Sequence, residues 1–124
     1  MKLMVSAILF LVGTQAIANS ACDKPKNDFD GLYCLNKIYM QADKELNYSY
    51  TSLNALLDVN GKKTLKAKQL IWIKERDDNC SFSDQRGFFV NLECAAHMTK
   101  ERLQFLNDRK RECESAGCMN SKLE

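Results

Sequence analysis

"LKAKQLIWIKERDDNC", residues 65–80, sets Leu65, Gln69, Trp72 and Arg76 three or four positions apart, with Leu70 and Ile73 beside them. That step is the period of an α-helix, so these side chains share one face of a helix predicted from about Lys63 to Asp78. Trp72 is the chain's single tryptophan. It lies one turn before Arg76, whose guanidinium can cover the indole ring. Asp77 points about a quarter-turn away from Arg76 on the same helix. It is expected to accept hydrogen bonds from Thr99 or Arg102 on a later helix. Trp72, Arg76, Asp77, Thr99 and Arg102 are thus read as a structural clasp between two helices, set beside Cys80.

Upstream, Leu35, Tyr39, Ala42, Leu46, Leu53 and Leu56 continue the same period from Leu32, with a polar interruption at Ser49. They predict a long helix capped at Asp30 or nearby and stopped by "DVNG", residues 58–61. Downstream, "CSFSDQRGFFVN", residues 80–91, breaks the pattern with serines and Gly87 and reads as a loop. A third helix is predicted from about Leu92 to Glu112 on Leu92, Ala95, Met98, Arg102, Leu103 and Leu106, ending at "ESAGC". One proline and five glycines are too few for the frequent turns of a sandwich or barrel. The expected fold is all-α: a small antiparallel bundle of two or three long helices, fastened by disulfides.

The first residues, "MKLMVSAILFLVGTQAIANSAC", show a lysine, an apolar run from Leu3 to Val12 and a small-residue site at Ala16-Ile17-Ala18. This is the order of a secretory signal peptide over residues 1–18, and the run is too short to span a bilayer. A lipid anchor on Cys22 is disfavoured because Asn19 stands where an aliphatic residue is wanted. Residues 19–124 then form a single domain, small enough to need staples. All six cysteines lie within it. An even count in an exported chain reads as disulfides formed in the periplasm or outside the cell. The sequential pairing Cys22–Cys34, Cys80–Cys94 and Cys113–Cys118 closes the shortest segments. Structural zinc is disfavoured, since Cys-x-x-Cys is absent and His97 is the only histidine.

The formal charge is +2, or +1 without Lys2. That balance exerts no long-range pull on nucleic acid or anionic membrane. The lysines of "KKTLKAK", residues 62–68, lack interleaved aromatics and read as a solvated face. No nucleophile with a base, no paired carboxylates and no redox spacing of cysteines emerge, so the chain is read as non-enzymatic and without cofactor. His97 is expected on a helix surface or at an interface. In the loop bounded by Cys80 and Cys94, Ser81, Ser83 and Arg86 are the candidate contacts for a protein partner, while Phe88 and Phe89 are expected in the core.

Taken together, "LNYSYTSLNALL", "LKAKQLIWIKERDDNC" and "CAAHMTKERLQFL" resemble the N-terminal domain family of the lysozyme inhibitor LprI. Leu46, Asn47, Tyr50, Leu53, Leu65, Gln69, Trp72, Ile73, Arg76, Asp77, Cys80, Cys94, Thr99, Arg102 and Leu106 carry the resemblance. An upstream pair like Cys22 and Cys34 also looks like the family, whereas Cys113 and Cys118 are less typical of it. The resemblance implies a mainly helical periplasmic or surface protein, with a lysozyme as the implied partner. The alternative is a non-catalytic envelope module with another partner. Vertebrate lysozymes are strongly basic, and a chain at +1 does not steer them by its net field. The oligomeric state is not specified by the sequence.

Overall fold

A computed structural model describes residues 22–124, so the expected signal peptide lies outside the described residues. The chain forms three long helices and one hairpin: α1 (Asp28–Leu56), α2 (Val59–Cys80), β1 (Ser81–Asp84), β2 (Gly87–Val90) and α3 (Leu92–Ala116), followed by a short 3₁₀ turn, Asn120–Lys122. Consecutive helices run antiparallel, which leaves α1 and α3 parallel. The Ser49 hydroxyl donates to Asn107 Oδ1 at 2.7 Å, and the Cys118 sulfur lies 3.4 Å from the Leu56 carbonyl oxygen. The α1–α3 pair is the closest of the three. Small side chains allow it: Ala42 and Ser49 on α1 and Ala95, Ala96 and Thr99 on α3 are all buried. Ser49, the polar break in the apolar stripe, is tolerated there because Asn107 accepts a hydrogen bond from its hydroxyl.

Leu46, Leu53, Leu57, Leu65, Trp72, Leu106 and Leu123 make the core. Leu123 was invisible to periodicity, standing alone in a polar tail, yet it is almost fully buried. The stripe of α1 also needs a correction at its end. Leu56 is exposed, and Leu57, where the backbone leaves the helix for an extended conformation, turns inward instead.

Two helix starts differ from expectation. Asn27, not Asp30, caps α1, its side chain accepting the Asp30 N–H at 2.8 Å. "DVNG" does more than stop α1, because it begins α2 four residues earlier than Lys63. Asp58 is the N-cap: its carboxylate accepts the Gly61 N–H at 2.7 Å and the Asn120 amide at 3.0 Å. Gly61 is buried against that asparagine, and a Cβ there would fall 2.5 Å from Asn120 Oδ1. One carboxylate thus starts α2 and holds the C-terminal turn that seats Leu123.

The disulfides are Cys22–Cys34, Cys80–Cys94 and Cys113–Cys118, with Cα–Cα distances of 5.5, 5.5 and 4.0 Å. Each fastens one end of a helix. The first ties the N-terminal segment to α1, the second joins α2 to α3 across the hairpin, and the third bends the chain back after α3.

Candidate functional site

The segment after Cys80 is a β-hairpin rather than an irregular loop. Ser81 pairs with Val90, Phe82 with Phe89, Ser83 with Phe88 and Asp84 with Gly87. Its base is closed twice over. The Cys80–Cys94 bridge joins its flanks and the Asn91 N–H donates to the Cys80 carbonyl at 2.7 Å, while the Ser81 hydroxyl ties the start of β1 to the end of α2 by donating to the Asp77 carbonyl at 2.6 Å. Asn91 then starts α3, its side chain accepting the Cys94 N–H at 3.0 Å. A two-residue hairpin loop ordinarily demands positive φ at its central residues. Here the central residues Gln85 and Arg86 do not take it; the positive φ, 139°, falls on Gly87, which closes the loop opposite Asp84, and Asp84 stabilises the turn by accepting the Arg86 N–H at 2.8 Å.

Opposed residues of an antiparallel pair share a face, so the hairpin has two distinct sides. On one, Phe82 and Phe89 stack with ring centroids 4.8 Å apart, and Arg86 lies 5.2 Å above the Phe89 ring. Arg86 Nε is also 3.1 Å from Asp84 Oδ2, so the tip cation is held by its own hairpin rather than left free. The Asp84 carboxyl is correspondingly pulled below the usual carboxylate range, first by that side-chain pairing and then by the Arg86 N–H. On the other side, Phe88 and Val90 flank Ser81 and Ser83. This side borders an apolar depression of about 300 Å³ lined by Tyr39, Arg76, Leu92 and Ala95.

The expectation that Phe88 is core is therefore overturned: it is 70 % exposed, because a two-stranded ribbon has no second layer to cover that side. Phe89 is half-buried, packed against Phe82. Ser83 Oγ reaches only the Gly87 carbonyl, at 3.4 Å, whereas the Ser81 hydroxyl is spent on ending α2. His97 is exposed on α3 and pairs with Glu101 at 3.3 Å.

The clasp residues are partly rearranged. Trp72 is 9 % exposed, and the Arg76 guanidinium sits 5.2 Å over its ring and 5.7 Å over that of Tyr39. Arg76 also reaches Asp43 of α1 at 3.6 Å. Asp77, by contrast, accepts from its neighbour Arg76 at 3.0 Å and meets neither Thr99 nor Arg102. The reason is axial position. Arg102 lies two turns from the Cys80–Cys94 end, level with Gln69, and donates its Nε–H to Gln69 Oε1 at 2.8 Å. Burial pulls the Arg102 pKa down while Glu75 opposes the shift, and its guanidinium stacks 4.5 Å from the Phe105 ring. Thr99 is fully buried between α1 and α3, its hydroxyl without a partner among the described residues.

Among the described residues no group of three or more His, Cys, Asp or Glu is placed to hold a metal ion, and no helix is long and apolar enough to cross a membrane. No curated protein and no solved structure matches the chain. A family model described as "Lysozyme inhibitor LprI" matches residues 20–106, from just before the first cysteine through α1, α2, the hairpin and the first half of α3. With most of its length matched, the chain belongs to the LprI lysozyme inhibitor family.

Proposed function

We propose that the protein is an exported, non-catalytic inhibitor that presents the hairpin after α2 to a lysozyme. The carrying observation is a stapled ribbon, within the family-matched range, that leaves Phe82 and Phe88 exposed to solvent. Three disulfides suit an oxidising compartment such as the periplasm. A ribbon closed at its base by a covalent bond and a backbone hydrogen bond loses little conformational freedom when a partner grips it, and affinity gains accordingly. Arg86 is the proposed polar anchor. Asp84 and Phe89 hold its guanidinium in place, and the carboxylates of a glycosidase cleft offer the same bidentate geometry as Asp84. Ser83 supplies a neighbouring hydroxyl, and Ser81 sets the ribbon's angle through the end of α2.

The test is clearance of a cell-wall suspension by lysozyme, with and without the oxidised protein. The protein is expected to slow clearance, and Arg86→Ala to weaken that effect about tenfold, or about 1.4 kcal/mol, with the melting temperature unchanged. Full inhibition by the variant would move the contact elsewhere. A parent protein without effect on any lysozyme would favour an envelope binding module with another partner.

A further inference from the structure

The apolar surface does not stop at the hairpin. Leu92 lines both the depression under Phe88 and Val90 and a second one bounded by Phe29, Leu32 and Tyr33 on the first turns of α1. The two form one strip across the end of the bundle. Phe29 is 82 % exposed and Tyr33 60 %, so with Phe88 the three aromatic rings alone leave about 400 Å² of surface in water, taking about 200 Å² for each. Leu32 and Val90 enlarge it. A strip of that size matches the largest patches normally left on a monomer and supplies about half of one side of a standard protein interface.

What covers it is indicated by charge. The near-neutral total conceals a division along the bundle axis. The hairpin-bearing end, residues 22–45 and 70–101, holds eleven Asp and Glu against eight Lys and Arg, a balance of −3. The opposite end, residues 46–69 and 102–124, holds five against nine, a balance of +4. At about 1.5 Å per residue, the 29 residues of α1 separate the ends by about 43 Å. The screening length in physiological salt is only about 8 Å. A protein approaching the apolar strip therefore meets the acidic end and hardly senses the basic one.

We infer that this end, which carries Phe29, Leu32, Tyr33, Phe88, Val90 and Leu92 and a net balance of −3, is the docking surface for a strongly basic lysozyme, selected over neutral or acidic ones by charge. The inference rests on the proposed inhibitory function and names the enzyme class that function meets. The objection from net charge then lapses, because local potential at the docking face, not the total, sets encounter rates.

The experiment measures association and dissociation rates of the oxidised protein with a basic vertebrate lysozyme in low and high salt. Asp78→Lys with Glu93→Lys turns the hairpin end from −3 to +1, and association in low salt is expected to slow about tenfold, the difference vanishing near 1 M salt. The milder Asp78→Asn with Glu93→Gln is expected to show an intermediate loss, should the reversal disturb α3. Lys62→Glu with Lys63→Glu at the far end leaves the rate within about twofold. Phe88→Ala is expected to speed dissociation at least tenfold with unchanged melting. Binding that ignores both charge sets, or responds equally to each, overturns this inference alone. Absence of binding by the parent overturns the inhibitory reading and this inference together.

Discussion

Arg76 joins residues from two helices: its guanidinium covers Trp72 of its own helix and Tyr39 of α1, and reaches Asp43. The indole beneath it belongs to the core cluster. Trp72→Ala is expected to cost about 3 to 5 kcal/mol, as large aromatic truncations do, measured by denaturant unfolding. A variant that unfolds like the parent would return Trp72 to the surface. The Trp72–Arg76 stack was legible because a four-residue step on a helix fixes its neighbours. Arg76's acidic partner was not, since which carboxylate arrives opposite depends on how α1 and α2 are staggered. Asp43 stands 33 positions upstream, and no local pattern distinguishes it from Asp77.

At the scale of elements, the three helices could be read from apolar spacing, but the hairpin was hidden. "SFSD" and "GFFV" are four residues each, too short for alternation to stand out, and their turn signals, Asp84 and Gly87, are split by Gln85 and Arg86. The ribbon depends on its staple. Replacing Cys80 and Cys94 together by serine is expected to cost about 3 kcal/mol on the loop-entropy account, and to speed amide exchange in residues 81–90 more than in the helices. Equal protection with and without the bridge would show that the ribbon stands by itself. A second elementwise prediction concerns Asp58. Its carboxyl is held below the usual range by the Gly61 N–H, with Asn120 next. A carboxylate with a depressed folded pKa stabilises above its unfolded value, near 3.9, and that contribution is lost as pH falls through the folded pKa. Asp58→Ala should thus lower the melting temperature at neutral pH and leave it closer to the parent's in strong acid.

For the whole molecule, the bundle closes where the sequence is least periodic. Leu123 enters the core beside Leu57 and Leu65, held by the turn that Asn120 fastens to Asp58. Leu123→Ala is expected to cost about 2 to 5 kcal/mol, a core-sized penalty at the second-last residue, and a melting temperature equal to the parent's would mean the tail does not seat. Asn120, Leu123 and the Cys113–Cys118 bridge lie beyond residues 20–106, the range matched by the family, whereas Leu57, Asp58 and Leu65, which receive them, lie within it. The parallel pairing of α1 with α3 was equally beyond sequence reading, because small residues such as Ala42, Ala95 and Ala96 add little to an apolar pattern although they let two backbones approach.

The order of the three bridges carries a consequence for biogenesis. Cysteines pair with the next one along, across separations of 12, 14 and 5 residues. When a chain is threaded amino-terminus first into an oxidising compartment, each thiol meets its native mate before any later thiol arrives. An oxidase acting on the emerging polypeptide therefore produces the correct set by timing alone. Maturation in a host lacking disulfide isomerase should yield the native pairing, readable as the peptide map of the secreted product.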